Sequence, residues 1–414
     1  MMISPADLLK LNDDALLEAV ARQIFRFFWE GAEPASLMAR DRSTRDADPA
    51  GDLVAVGGTG FGVMAIVVAV ERGWVRRAQA TSRLSQMLDL LERAERHHGA
   101  YPHFLHGQTG QTILFGPNDD GGDLVETALL MMGLLAARQY FSEDAGLAAR
   151  ITALFDGVEW DWYRRGENVL YWHWSPNHGW AMNHSIRGWN ETLIVYVLAA
   201  GARRHGIDAA VYEQGFCSSA DYWNGKQYGG VTLPLGPEGG GPLFFAHYSF
   251  CGLNPHGLKD RHADYWQQNV AQVIANRAHC IANPGGFKGY GPDCWGLTAS
   301  DDPSGYDAHA PNNDNGTISP TAALASFPYA PQASMAALRH FLSAHGEKVW
   351  GRFGFTDAFN ETRDWWADTF LAIDQGPIVV MMENYRTGLL WKLFMAAPEV
   401  QAGLRTLGFR SPEA

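Results

Sequence analysis

Residues 118–140, NDDGGDLVETALLMMGLLAARQY, decide how the rest of the chain is read. Two acids and two glycines, Asp119, Asp120, Gly121 and Gly122, give way to apolar residues at helical spacing: Leu124, Ala128, Leu129, Met131, Met132, Leu135 and Ala136. Asp123 and Glu126 stand three residues apart, so on a helix they share a face. Both fall in the first turn, at the positive end of the helix dipole. A flexible acidic loop feeding a helix mouth with two carboxylates can act on a neutral polyol. The same residues also fit an N-cap at Asp123 and a capping box closed by Glu126.

Helical patterns extend on both sides. Upstream, residues 12–30 form an amphipathic pattern with Leu16, Leu17, Val20, Ile24, Phe27 and Phe28 on one side, followed by a polar loop over 38–52. Residues 57–73, GGTGFGVMAIVVAVERG, predict a buried helix entered through glycines. No strand precedes it and no Lys-Ser/Thr follows, which argues against a phosphate loop. Residues 76–98 predict a third helix. Downstream, helices are predicted over 143–164, 188–204, 262–283, 319–327, 331–345, 377–396 and 398–407. Residues 169–179, VLYWHWSPNHG, read as extended and are expected to pair with 180–186. Residues 206–261 read as irregular. A loop over 284–318, crowded with Gly, Asp, Asn and aromatics, is long enough to be functional. Roughly a dozen helices, little strand signal and no linker predict one all-α domain over 1–414. Helical hairpins in a ring, an (α/α)6 barrel or toroid with short loop hairpins, is the expected fold, with a stacked α-solenoid as the alternative.

Composition narrows the function. A net charge of −13 and the lack of any Lys/Arg-rich run argue against nucleic acid and anionic membrane surfaces. There is no apolar window of membrane-spanning length. The N-terminus lacks a basic region followed by an apolar one, so a cytoplasmic location is expected if the chain begins natively here, and a periplasmic one if a leader has been removed. Cys217, Cys251, Cys280 and Cys294 are too few and too scattered for a disulfide framework. No His/Cys/Asp set at ligand spacing lies on one predicted helix, so no metal is expected. A structural cation at Asp301–Asp302 or in the 312–314 loop is the alternative. The 15 Trp residues suit either core filling or sugar stacking. Oligomeric state is not legible.

Three predicted helix mouths carry acids: Asp123 with Glu126, Glu191, and Asp374 in LAIDQGP. In a ring, like-directed helices begin at one end, so these acids should converge there with the 284–318 loop. Facing carboxylates suit glycosidic hydrolysis, one giving a proton to the leaving oxygen and the other activating water or attacking the anomeric carbon. His103, His173, His178, His184, His247 and His309 leave a lyase or epimerase open, though the Lys-poor loops disfavour a uronate. A non-catalytic carbohydrate-binding module is the other class of reading.

The strings GGTGFGVMAIVVAVERG, NDDGGDLVET, VEWDWY, YWHWSPNHGW, RGWNE, HYSF, CWGLTASDDPSGY and IDQGPIVVMMENYRTGLLW resemble the glycoamylase-like family. That group includes the bacterial endo-β-1,2-glucanases of glycoside hydrolase family 144. The resemblance covers about residues 13–409. It implies an (α/α)6 barrel, no cofactor, and β-1,2-glucan or sophorooligosaccharides as substrate, cleaved with inversion, in endo or exo fashion. Glu191 of RGWNE would then be the general acid, Asp123 and Glu126 of DLVET essential cleft acids, and Asp374 of IDQGP a base or water-positioning acid. His247, Tyr248, Trp295, Thr298, Ser300 and Asp301 would bind sugar, with Trp189 walling Glu191. The name "glycoamylase" does not imply α-glucan cleavage.

Overall fold

The computed structural model describes residues 2–47 and 51–412. Residues 48–50 of the expected polar loop and the extreme ends of the expected 1–414 domain lie outside the described residues. The helices, in order, are α1 (Pro5–Leu8), α2 (Asp13–Trp29), α3 (Val56–Glu71), α4 (Arg77–Arg93), α5 (Leu124–Tyr140), α6 (Ala145–Asp156), α7 (Leu193–Gly201) and α8 (Ala209–Gln214). They continue with α9 (Tyr265–Ala282), α10 (Pro320–Leu324), α11 (Pro331–Val349), α12 (Ala372–Thr387), α13 (Leu389–Met395) and α14 (Pro398–Thr406).

Polarity sorts these helices into two rings. The inner helices α3, α5, α7 and α12 are buried along almost their whole length, whereas α2, α4, α9 and α11 bury one face and wet the other. Helix α3 packs on α5, α5 on α7, α10 on α12, and α12 back on α3. The gap between α7 and α10 is filled by two 3-10 turns, Leu243–Ala246 and Ser249–Cys251, within the stretch expected to be irregular. Ser249 Oγ accepts the Ile194 amide at the start of α7, and Asn384 of α12 donates to the Cys251 carbonyl at 3.0 Å, so these turns occupy an inner-helix position. The result is an (α/α)6 barrel.

Glycine sets how closely the inner ring closes. A Cβ on Gly60 of α3 would stand 2.1 Å from the Leu129 carbonyl oxygen of α5, so any larger residue would force the two helices apart. The GGTGFG stretch therefore serves packing. Strands are short and form only two- and three-stranded sheets among the described residues.

Several element boundaries differ from expectation, each for a local reason. The helix expected over 143–164 stops at Asp156 and resumes as a 3-10 turn, Trp160–Arg164. The helix expected over 377–396 starts five residues earlier, at Ala372, and absorbs Pro377; it breaks at Gly388, whose φ of 69° ends α12 and starts α13. Residues 170–172 pair with 184–186 as expected, through the Tyr171–Ser185 bridge and the Trp172 amide on the His184 carbonyl, while His173–Trp174 pairs with Gly122–Asp123. The 284–318 loop contains a hairpin, Ala299–Asp302 against Gly305–Ala308. No described helix is long and apolar enough to cross a membrane.

Candidate active site

Helices α3, α5 and α12 begin side by side, and their first turns build the site. Asp123 caps α5: its Oδ1 accepts the Val125 and Glu126 amides, both at 2.9 Å. Glu126 does not close a capping box. Its Oε2 instead accepts the Gly57 amide of α3 at 2.7 Å, while the Asp123 amide goes to the Tyr101 carbonyl. A Cβ on Gly57 would lie 2.6 Å from that Oε2, so only glycine admits the carboxylate. Asp123 is therefore the cap, and Glu126 is free of capping duty.

The other oxygen of Asp123 meets His103 Nδ1 and Trp172 Nε1, each at 3.2 Å. Burial opposes protonation of His103, but the charges of Glu126 and Asp123 prevail and push it up to about 9. An imidazolium thus sits against Asp123 and Glu126 near neutral pH. Burial raises Glu126 to about 7; His103 pulls it down and Asp123 adds to the rise. Glu191 lies two residues before α7 and is 8% exposed. Burial raises it to about 7, and the charges of Asp123 and Glu126 add to that. Its backbone carbonyl is anchored by the Ser249 hydroxyl.

Asp374 occupies the third position of α12, the position Glu126 occupies in α5. It is 2% exposed and faces Asp357, with which it hydrogen-bonds through a shared proton. Burial and the mutual charge raise both, Asp357 to about 7 and Asp374 well above its usual range. The pair titrates as a unit and holds one proton near neutrality. Asp357 also accepts the Asp301 amide at 2.7 Å. Asp301 is held by Arg42 Nη1 at 3.2 Å and by the Thr369 hydroxyl at 2.6 Å.

Tyr248 joins the two groups of acids. Burial raises its hydroxyl well above the usual range, with the charges of Asp374, Tyr306, Glu191 and Glu126 acting in the same direction. Asp123, Glu126, Glu191, Asp374 and Tyr248 are thus brought to one place. Thr298, just before the hairpin, and Ser300, in its first strand, are buried, Thr298 Oγ1 accepting the Phe244 amide at 3.1 Å and the Ser300 hydroxyl donating to the Asp301 carbonyl. The structure places the remaining three in the interior. Trp189 is 2% exposed, donates to Gln272 Oε1 at 2.9 Å, and packs between Phe250 and Tyr265. Trp295 is fully buried. His247 bonds Ser326 Oγ at 3.0 Å, and burial lowers it to about 3, leaving it a neutral core imidazole. Glu191 is raised by burial and by neighbouring carboxylates.

Asp357, Trp172, Arg42, Thr369 and Tyr306 are site residues that sequence patterns did not single out. Only Tyr306 left a trace: the Pro303-Ser304-Gly305 turn in CWGLTASDDPSGY implies a hairpin that sets Tyr306 opposite Asp301, the register observed. Tyr306 is 48% exposed and stands among the charges of Asp374, Asp357, Asp41 and Asp301. On the opposite side, Phe115 is 58% exposed and stacks on His103 at 4.1 Å. Two exposed aromatic rings thus flank a floor of buried carboxyls. The acids expected to hold a structural cation already have protein partners: Asp302 accepts Asn315 Nδ2 at 2.8 Å, and Asp314 takes His279 and Tyr290 at 2.8 and 2.7 Å.

The Glycoamylase family model matches residues 183–398. The chain is 53% identical to the endo-β-1,2-glucanase from Chitinophaga pinensis, solved with sophorotriose and glucose. That match has a TM-score of 0.95 and covers 98% of this chain and 100% of the other. It is 45% identical over 423 residues to the exo β-1,2-glucooligosaccharide sophorohydrolase (non-reducing end) of Parabacteroides distasonis, covering 96% of this chain and 58% of that relative's length. An endo-β-1,2-glucanase from Talaromyces funiculosus, 14% identical, shares the fold with a TM-score of 0.63. The chain belongs to the glycoamylase family, a glycoside hydrolase family with members that act on β-1,2-glucan and its oligosaccharides.

Proposed function

We propose that the protein is an endo-β-1,2-glucanase that cleaves with inversion, Glu191 serving as general acid and Asp374 as general base. The observation that carries this reading is the convergence of Glu191, held protonated up to about 7, with the proton-sharing Asp357–Asp374 pair around the Tyr248 hydroxyl. Inversion needs one carboxylic acid to protonate the leaving oxygen and one carboxylate to take a proton from water on the opposite face. Glu191 supplies the first. The pair, one proton short of full protonation, supplies the second: once the shared proton has passed from Asp374 to Asp357, Asp374 is free to accept one from water. Asp123, tied to His103 and Trp172, fixes the α5 mouth, and Glu126 shapes the sugar site beside it. Tyr306 and Phe115 offer ring faces to glucose units.

The β-1,2-linkage comes from the relatives. The Chitinophaga pinensis endo-glucanase is matched over its full length at 53% identity, which supports the endo reading. Exo release of sophorose from the non-reducing end is the second reading, supported by the 45% identity to that enzyme. Incubation with linear β-1,2-glucan, followed by chromatography over time, separates the two. A ladder of oligosaccharides is expected. Sophorose alone from the first time point would establish exo action, and release of sugar from starch or laminarin but not from β-1,2-glucan would overturn the substrate.

A further inference from the structure

Away from the acids, Cys294, His340 and His345 bring a thiol and two imidazoles together, their ligand atoms all within 4.8 Å of one another. The residues come from two segments, Cys294 from the 284–318 loop and both histidines from α11, five residues apart rather than the three or four of a same-face pair. That separation hides the group from any spacing rule. Glu361, from a third segment, adds a carboxylate, its Oε1 lying 3.2 Å from His345 Nε2.

Hydrogen bonding within the protein leaves this group unexplained. The Nε2 atoms of His340 and His345 are both shut off from water; that of His345 faces the Glu361 carboxylate at 3.2 Å, and that of His340 has no hydrogen-bond partner among the described residues. His345 is only 9% exposed. Buried polar nitrogens without partners are rare and point to a missing ion or water. The two rings stand 5.4 Å apart at 83°, an arrangement that lets two imidazoles converge on one ion. The charge sum also fits. A divalent cation, one thiolate, one carboxylate and two neutral imidazoles give a net charge of zero, the arrangement that a poorly solvated site tolerates best.

We propose that Cys294, His340, His345 and Glu361 form a tetrahedral site for a borderline divalent cation of the zinc class. A mixed sulfur, nitrogen and oxygen donor set of four suits zinc rather than calcium or magnesium, which take oxygen ligands. On binding, the Cys294 S–H bond breaks, its proton leaves to solvent, and a metal–sulfur bond forms; no oxidation is involved. A surface cavity of about 450 Å³, lined by His345, Lys348, Glu361 and Trp366 among others, gives the ion a way in. None of the four ligands belongs to the carboxyl cluster, so the site acts on structure. It ties the start of the cleft loop, just before Trp295 and the Ala299–Asp302 strand, to an outer helix.

The test uses the untagged full chain, stripped with chelator and titrated with Co²⁺ as a spectroscopic stand-in for Zn²⁺. One Co²⁺ per chain should bind, with a near-ultraviolet thiolate-to-metal charge-transfer band and the visible bands of a tetrahedral site. Zn²⁺ should displace it and raise the unfolding temperature progressively with concentration. Cys294→Ser should abolish the charge-transfer band and weaken binding at least about tenfold. If that variant does not fold, His340→Gln supplies the same loss of affinity with the thiol intact. No thiolate band in the wild-type chain at stoichiometric Co²⁺, a band that survives in Cys294→Ser, affinity unchanged in His340→Gln, or an unfolding temperature indifferent to Zn²⁺ would each overturn the proposal.

Discussion

The two banks of the cleft manage the same problem, buried carboxyl groups, in opposite ways. On the α5–α7 bank the charge is compensated. His103, pushed up to about 9, and the Trp172 indole meet Asp123, and the Gly57 amide meets Glu126. On the α12 bank, Asp374 and Asp357 meet each other, and Arg42 is paired with Asp301, whose amide Asp357 accepts. Compensation lets a carboxylate stay ionised beside a neighbouring carboxylic acid that keeps its proton; mutual repulsion makes two carboxyls share one proton. The first arrangement produces a donor and the second an acceptor, and a bond-cleaving site needs one of each.

The largest effect should follow loss of the donor. Glu191→Gln should lower kcat on β-1,2-glucan by at least about 10²-fold, the scale of general acid catalysis, with the circular dichroism spectrum unchanged. Turnover near the wild-type level would remove Glu191 from the acid role. The same group sets a pH limit: because Glu191 acts when protonated, kcat/KM should fall as pH rises through about 7. The effect on stability follows from linkage. The folded carboxyl sits above its ordinary 4.5, so the native state binds the proton more tightly, and stability declines as pH rises from about 4.5 through 7. Glu191→Gln should be free of that decline and show a smaller loss of unfolding temperature over this window.

Next comes the acceptor pair. Asp374→Asn should lower kcat by about 10²-fold as well, since removing a general base costs as much as removing an acid. Asp357→Asn should cost less, about tenfold, and should shift the acidic limb of the rate profile to lower pH. Asp374 is raised partly by the charge of Asp357, and an amide lifts that repulsion. If Asp357→Asn proves the more damaging change, the two residues exchange roles. NMR of the first-formed product should show the α-anomer, and β-anomer formed first would rule out inversion.

Smaller again is the change at the seam between the banks. Gly57→Ala puts a methyl group where Glu126 Oε2 now sits, 2.6 Å away, with Leu129 Cδ1 at 3.1 Å. Overpacking of this kind costs about 1–3 kcal/mol, measurable by chemical denaturation. Glu126 should also lose the backbone hydrogen bond that favours its charged form, so activity should fall by about tenfold through the α5 bank alone. Unchanged stability and activity would show that Glu126 has room to move and that its bond to α3 is dispensable.

The banks were unequally legible in the sequence, for physical reasons. Amphipathic and all-apolar periodicities distinguished outer from inner helices, because burial on one side or on all sides writes itself into residue order. The acids at the mouths of α5, α7 and α12 were visible because a helix start is a local feature with its own chemistry. Asp357 was not visible: it sits in Thr356–Ala358, outside any helix mouth, and acquires its role only when long-range packing sets it against Asp374. His103 gave no sign of which partner it would meet. Trp189, Trp295 and His247 stood in strings that resemble the family's, yet a string reports neighbours along the chain and not which way a ring points; Gln272 and Ser326, the partners that fix Trp189 and His247 in the interior, lie 83 and 79 residues away. The inner position between α7 and α10 was unreadable because 3-10 turns of three or four residues carry no periodicity.

The smallest effect concerns the rim above the α12 bank. Tyr306 projects from the tip side of the Ala299–Ala308 hairpin, paired in register with Asp301 and 48% exposed. Its hydroxyl is raised well above the usual range, first by burial and then by Asp374 and Asp357, so the phenol remains neutral at every working pH. A neutral, half-exposed ring over the acceptor pair suits stacking against a sugar face, a contact worth roughly 0.5–1.5 kcal/mol beyond the area it covers. Such a contact forms with bound substrate and changes little as the glycosidic bond breaks. Removing it should therefore raise KM and leave kcat nearly unchanged. Tyr306→Ala should raise KM by about threefold to tenfold, with Tyr306→Phe close to wild type because the ring and not the hydroxyl makes the contact. A fall in kcat of about 10²-fold in Tyr306→Phe would instead place the hydroxyl among the reacting groups and join the rim to the chemistry of the bank below it.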